Sequence, residues 1–219
     1  MVTFENIKNN TEIQTYIIKA DESLRAIGYT EHSFAHVEKV SGTAGEILRV
    51  MGYSDREVEL AMIAGYMHDI GNLINRVDHS QSGALMSFRI LEKMGMEPEE
   101  IATVITAIGN HDEGDGMPVN PVSAALIIAD KTDVRRSRVR NTCETNFDIH
   151  DRVNYSVKES SVKIDPRVKE ITLELILESR YSTVMDYFEI FLHRMIMFRK
   201  AAERLGLSFR LVINGQNIM

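Results

Sequence analysis

The chain has 219 residues, 44% hydrophobic and 26% charged, with a formal net charge of -7 and a pI near 5.5. This composition excludes a disordered chain, and the length allows a main domain of about 150 residues with a small second lobe. The negative charge argues against a nucleic-acid polymer as partner, because non-specific affinity for DNA or RNA depends on cations that neutralise phosphates.

Cysteine usage and hydropathy indicate the compartment. The single cysteine, Cys143, cannot form an internal disulfide, and no cysteine pair offers a structural zinc site. The first residues lack the basic-then-apolar layout of a signal peptide, and no apolar run approaches the roughly 20 residues that span a bilayer. We therefore expect a cytoplasmic protein with no membrane partner.

Residues 1–140 show helical periodicity and are expected to form an all-α domain. Five successive helices with short links are predicted at residues 30–51, 55–69, 80–94, 98–110 and 121–136. Pro98 and Pro121 suit first-turn positions of two of these helices. Asp78, with Gln81 three residues later, resembles a capping box at the start of a third.

The pattern changes after residue 141. Residues 152–178 alternate polar side chains with Val, Ile, Tyr and Leu, which predicts two or three short strands in a β-meander. Helical spacing returns at 182–206, and 208–215 closes as a strand. Residues 141–219 are thus expected to form a small α+β lobe. The helix carries an apolar stripe, which is either the core of this lobe or a homodimer interface; its residues are Val184, Phe188, Phe191, Leu192, Met195 and Phe198.

Histidines and aspartates occupy inward positions of the predicted helices. His68 and Asp69 end an apolar helix, and His36, His111 and Asp130 each share a helix face with small or apolar residues. A buried Asp130 without a cation four residues away is costly unless the carboxylate is paired or bound to a metal. Imidazole and carboxylate ligands together suit divalent Mn, Fe, Co, Ni or Zn.

The ordered set of these residues resembles the HD-domain superfamily of metal-dependent phosphohydrolases over about residues 25–140. The set is His36, His68, Asp69, His79, His111 and Asp130. Three segments look like a shortened version of the HD-GYP branch, which hydrolyses cyclic dinucleotides: HDIGN at 68–72, NHDEGDGMP at 110–118 and ADKTD at 129–133. The resemblance implies a mainly α protein, an HD-domain helical bundle followed by the α+β lobe.

Carried over to this chain, the resemblance implies one or two divalent metal ions. One would be held by His36, His68, Asp69 and Asp130, and a second by His79, His111 and a bridging Asp69. Such a pair would lower the pKa of a bridging water, so that hydroxide is the nucleophile near neutral pH. Asp69 would be the catalytic residue through its bridging position, and no protein nucleophile is required.

Two departures from the HD-GYP pattern bear on the substrate. Asn72 stands where that branch has lysine, and its amide can hydrogen-bond a phosphate without neutralising it. The Gly-Tyr-Pro element is reduced to Gly116, Met117 and Pro118, without the tyrosine. Both departures favour a nucleotide phosphomonoesterase, or another phosphohydrolase, over a cyclic-dinucleotide phosphodiesterase.

Positive charge for a phosphate is predicted on the helix that carries Asp130. At about 100° per residue, Lys131, Arg135 and Arg138 lie about 100°, 140° and 80° from Asp130, on one flank. This flank is either a phosphate clamp or a solvated helix end favoured by the macrodipole.

Four further residues have to be considered with this set. His32, one turn before His36, is an extra metal ligand, a substrate contact or a surface residue. Asp133 either orients a metal ligand or lies on the helix surface. His150 and His193 fall outside the resemblance and are interpreted as structural.

The sequence therefore predicts a metal-dependent phosphohydrolase acting on a small phosphorylated molecule, with a nucleotide favoured. The alternative from another class is a metal-containing sensor module whose degenerate site binds a ligand without turning it over. A purely structural helical bundle would leave Asp130 and the inward histidines unexplained.

Overall fold

The computed structural model describes residues 1–219. Residues 1–140 contain helices only, as expected. The helices are α1 (Phe4–Lys8), α2 (Thr11–Ala26), α3 (Phe34–Val50), α4 (Asp55–Met67), α5 (His79–Lys93), α6 (Pro98–Gly109) and α7 (Pro121–Thr132), with short 3-10 turns at Ile70–Leu73 and Arg136–Arg138. None of the helices combines the length and apolarity that crossing a membrane would require.

Local sequence explains most helix starts. Ser54 and Glu57 form a reciprocal capping box at α4, and Pro98 and Pro121 are the first residues of α6 and α7. The capping box expected at Asp78 is wrong, because this residue adopts a left-handed conformation (φ 56°) and its side chain caps nothing. Helix α5 begins one residue later, so that its first side chain is His79.

Two predicted helix limits are also wrong. The chain is not helical at 30–33, and α3 begins only at Phe34. Helix α7 ends at Thr132 and does not continue to 136, because Arg138 donates a 2.6 Å hydrogen bond from Nη1 to the carbonyl oxygen of Asp133. That carbonyl is therefore occupied by a side chain where the helix stops.

Glycines bring the helices around the cluster unusually close. A Cβ atom on Gly65 would lie 2.8 Å from Cα and 2.9 Å from N of Ser41, so that α4 touches the backbone of α3 there. A Cβ on Gly71 would lie 1.9 Å from the carbonyl oxygen of His79. Real Cβ atoms do not approach so closely, so both contacts require glycine.

The C-terminal lobe comprises α8 (Ile149–Ser156), β1 (Val157–Asp165), β2 (Glu170–Leu177), α9 (Val184–Arg204), β3 (Ser208–Ile213) and β4 (Gln216–Asn217). The sheet order is β1-β2-β3-β4, and α9 connects β2 to a parallel β3. Two of the short strands expected within 152–178 are confirmed as the antiparallel pair β1 and β2, whereas residues 152–156 belong to α8. The sheet does not continue as a meander, because β3 joins it by a parallel crossover. With this sheet the chain as a whole is mainly α and not all-α.

Helix α9 joins the lobe to the helical domain. Phe191, Met195 and Phe198 of the apolar stripe are buried in one hydrophobic core that includes residues from both parts of the chain. Leu192 is 48% exposed and lies outside that core. A homodimer contact through the lobe stays a prediction.

The glycine contact between α3 and α4 gives a stability test with an internal control. Gly65→Ala should destabilise the fold by roughly 1 to 3 kcal/mol, because backbone atoms of Ser41 cannot move aside as a side chain can. Gly42→Ala, on the exposed face of α3 with open space around it, should stabilise by about 0.5 to 1 kcal/mol. Urea denaturation measures both; equal stability of Gly65→Ala and wild type would contradict the packing described.

Candidate metal centre

Six side chains from five helices or helix ends meet in one buried cluster. They are His36 of α3, His68 at the end of α4, Asp69 beside it, His79 at the start of α5, His111 after α6 and Asp130 of α7. None is more than 6% exposed. The residues predicted as ligands from the sequence are thus brought together.

The first group surrounds the Nε2 atoms of His36 and His68, which lie 3.2 Å apart. Asp69 Oδ2 lies 3.2 Å from Nε2 of His68 and 3.5 Å from Nε2 of His36. Asp130 Oδ1 lies 3.4 Å from Nε2 of His36. These four side chains therefore face one common point.

The second group lies on the other side of Asp69. The Nε2 atoms of His79 and His111 are 3.1 Å apart, and Asp69 Oδ1 lies 3.5 and 3.8 Å from them, respectively. The two oxygens of one carboxylate thus face different histidine pairs, which is the arrangement that a bridging ligand requires.

Hydrogen bonds orient all four imidazole rings in the same sense. His68, His79 and His111 direct Nδ1 at the backbone carbonyl three residues earlier, at 2.8, 3.0 and 2.6 Å. His36 directs Nδ1 at Asp133 Oδ2, at 2.8 Å. A carbonyl can only accept, so Nδ1 of His68, His79 and His111 carries the hydrogen and their Nε2 lone pairs face the cluster. The carbonyls of Gly65 and Ile108 are suited to this task because they lie in the last turns of α4 and α6 and lack helical partners.

The donor set fits a divalent metal ion. The Nε2 lone pairs of His79 and His111 face one another at 3.1 Å and repel, and two ionised carboxylates near the histidines add negative charge. Two nitrogen ligands that each lie about 2.1 Å from one ion are roughly 3.0 to 3.4 Å apart at ordinary coordination angles. The observed separations therefore match ligands that share an ion.

Electrostatics hold both carboxylates in the ionised form. Burial acts to raise the pKa of Asp69, but His68 and a hydrogen bond from His36 hold it well below its usual range. For Asp130, burial is likewise outweighed, chiefly by the positive charge of Lys131. Both side chains are ready to bind a cation.

The histidines show the complementary behaviour. Burial lowers the pKa of His79 and of His111, so both rings are neutral and able to ligate. Burial and Arg138 also act to lower the pKa of His36, but hydrogen bonds with three neighbouring carboxylates raise it to about 9. A proton on His36 thus supplies positive charge that a divalent cation would otherwise provide.

Asn72, predicted to bind a substrate phosphate, and Asp133, for which orienting a metal ligand was one interpretation, both contact residues of the cluster. The Asn72 side-chain amide donates to the backbone oxygen and to Oδ1 of Asp69, at 3.0 and 2.9 Å. Its amide hydrogens therefore orient Asp69, and a phosphate would have to compete for them. Asp133 is fully buried and accepts from His36, so the helix-surface alternative for it is wrong.

The predicted cationic flank of Lys131, Arg135 and Arg138 does not exist as a helix face, because α7 ends at Thr132. Lys131 Nζ lies 2.7 Å from Asp130 Oδ2, and Arg135 Nε lies 2.9 Å from Asp133 Oδ1. Arg138 is 3% exposed. These cations mainly neutralise acidic groups within the protein.

A cavity of about 730 Å³ opens beside the cluster. His32 lines it, and its ring packs edge-on against that of His36 with centroids 5.3 Å apart, so His32 stands between cavity and ligands. The lobe also lines the cavity, with His150, His193 and Arg194 among its residues. Both histidines, interpreted from the sequence as structural, are exposed side chains at this cavity.

Sequence reasoning missed Arg76 and Arg194, which also line the cavity. Arg76 lies three residues before His79, a closeness along the chain that could have drawn attention to it. Arg194 lies far from every motif, and no local signal marks it.

Comparison with known proteins decides the family. The model of the HD domain family matches residues 33–190. The chain belongs to the HD domain family. HD domains bind divalent metals, and this chain has histidine and aspartate clusters able to hold them.

Two relatives illustrate how far the likeness extends. An uncharacterized protein of Methanocaldococcus jannaschii is 24% identical over 199 residues, covering 80% of this chain and 76% of the relative. A crystal structure described as that of a predicted HD superfamily hydrolase, from an uncultured Thermotogales bacterium, is 25% identical with a TM-score of 0.46. That likeness covers 62% of this chain and 75% of the other.

The buried Asp133 gives a test of ligand orientation in this HD domain. Asp133→Asn keeps an oxygen for His36 Nδ1 but removes the charge, and metal affinity should fall about 10- to 100-fold. Glu38→Gln on the exposed part of α3 is the matched control and should bind metal as wild type does. Competition with a metal chelator measures both affinities, and thermal melting checks folding; an unchanged affinity in folded Asp133→Asn would refute the role.

Proposed function

We propose that this HD-domain protein is a metal-dependent phosphohydrolase that acts on a small phosphorylated molecule, with a nucleotide as the favoured substrate. The observation that carries the proposal is the position of Asp69. Its two carboxylate oxygens face two separate histidine pairs, and the cluster adjoins a cavity large enough for a small ligand. Metal binding, activation of water and access for the substrate are thereby combined at one site.

The residues of this chain would divide the work as follows. His36, His68, Asp69 and Asp130 would hold one divalent ion, and His79, His111 and Asp69 a second. Such ions lower the pKa of water and stabilise the charge of an in-line phosphoryl displacement. Asn72 and Asp133 fix the orientation of Asp69 and His36, so that the ligands need not rearrange on binding.

The cavity wall supports a nucleotide as substrate. It combines the guanidinium group of Arg76 with the aromatic rings of Tyr29 and Phe191. Guanidinium groups suit phosphate oxygens, and aromatic faces suit a planar base. A cavity with only apolar walls would lack a partner for the phosphate, and one with only charged walls would lack a partner for the base.

The function is tested by hydrolysis of a phosphomonoester and a phosphodiester panel after loading with Mn²⁺, Fe²⁺ or Ni²⁺. Wild type should hydrolyse esters, with monoesters preferred, and a chelator should abolish turnover until metal is restored. Asp69→Ala should lose metal and fall to the background rate, because both histidine pairs lose their shared carboxylate.

Asp55→Ala is the matched control, since Asp55 is an exposed aspartate on the same helix as His68. It should keep metal and activity. Metal-loaded wild type that turns over no ester in either panel would contradict the enzyme proposal and favour the sensor module. A preference for cyclic dinucleotides over monoesters would contradict the monoester preference.

A further inference from the structure

Arg76 occupies the boundary between the cavity and the metal ligands. It lines the cavity, and its Nη1 atom lies 3.1 Å from Nε2 and 3.4 Å from Nδ1 of His79. Nearly equal distances to both ring nitrogens place Nη1 over the face of the imidazole. The in-plane lone pair of His79 Nε2 therefore stays directed at His111 and Asp69, and Arg76 does not compete for it.

Two rings lie next to the guanidinium group of Arg76. The Cζ atom is 5.6 Å from the centroid of Tyr29, and Nη1 lies against the ring of His79. Rings on a guanidinium restrict its orientation without using its N–H donors. Arg76 is thus held in place while its donors remain available.

Few acceptors compete for those donors. Arg76 Nη1 donates a long hydrogen bond, 3.4 Å, to Oδ1 of Asn72. The nearest carboxylate oxygen belongs to Asp112 and lies 3.8 Å from Nη2. Side-chain exposure is 24%. A charged group with five donors and no close carboxylate is unusual beside a buried anionic cluster.

The other cations at the cavity are already paired. Arg194 Nε lies 2.8 Å from Glu113 Oε1. Arg138 donates to the carbonyl oxygens of Asp133 and Glu31, at 2.6 and 2.9 Å. Arg76 therefore keeps the least compensated positive charge facing this space, and it is the one that touches a metal ligand.

We propose that Arg76 binds a phosphate group of the substrate and holds it at the metal centre, supplying the positive charge that Asn72 cannot. This inference rests on the proposed phosphohydrolase function, but its first test needs no turnover. A phosphate seated between the cluster and Arg76 would receive the guanidinium N–H groups on its non-bridging oxygens. Tyr29 and the ring of His79 would keep the guanidinium plane aligned for that contact.

The test measures binding of inorganic phosphate to the Mn²⁺-loaded protein by titration calorimetry. Arg76→Gln should weaken phosphate binding about 10- to 100-fold, because a charged, two-point donor is replaced by a neutral amide. Arg76→Lys should recover part of the loss, since lysine restores the charge without the planar fork. Metal content should stay at the wild-type level in both variants.

Arg89→Gln, at an exposed position of α5, is the matched control and should bind phosphate as wild type does. If the protein hydrolyses 4-nitrophenyl phosphate, Arg76→Gln should also raise KM and the inhibition constant of phosphate together. Failure of hydrolysis with the phosphate result intact would overturn the proposed function alone.

Three results would overturn the role of Arg76. Phosphate binding by Arg76→Gln within twofold of wild type would show that the guanidinium is not used. Loss of bound metal in Arg76→Gln would show that Arg76 supports the ligands instead of the phosphate. Loss of phosphate binding in Arg194→Gln, with Arg76→Gln unaffected, would place the anion at Arg194 instead.

Discussion

Two carboxylates and four imidazole rings share a region of the protein from which water is almost excluded. Asp69 is 5% exposed and Asp130 6%, and the pKa of each carboxyl is held well below its usual range. Negative charge at this depth is strongly unfavourable unless cations compensate it, and Lys131 faces only one side of the cluster. The negative charge that stays uncompensated explains the ring orientations and the raised pKa of His36. It also explains why the distances between the Nε2 atoms match those of metal ligands.

The fold assembles the cluster by bringing helix ends together. Gly65 lets α4 touch α3, which sets His68 beside His36, and Gly71 lets the following turn touch the start of α5, which sets Asp69 beside His79. Carbonyls near helix ends then fix the rings. The C-terminal lobe contributes no ligand to the cluster, but its residues line the cavity and it shares the hydrophobic core.

The sequence revealed five of the six ligands because they stand at inward positions or ends of periodic helices, and His79 only through the order that a known family shares. It did not reveal where α7 ends, since residues 133–140 include no glycine or proline. The helix stops there because of tertiary contacts. Arg138 donates a hydrogen bond to the backbone carbonyl of Asp133, and His36 donates one to its carboxylate. Arg76 was missed for a similar reason, because it lies in a loop whose path depends on the left-handed Asp78.

The central claim is that Asp69 bridges two metal positions, and the most direct measurement is titration of the metal-depleted protein with Mn²⁺ followed by low-temperature electron paramagnetic resonance. Because the Asp69 oxygens face both histidine pairs, we expect wild type to bind two ions per chain and to give a spin-coupled spectrum. Asp69→Asn should give an uncoupled signal instead. Binding of one isolated ion, or of two ions without coupling, would contradict the bridged centre.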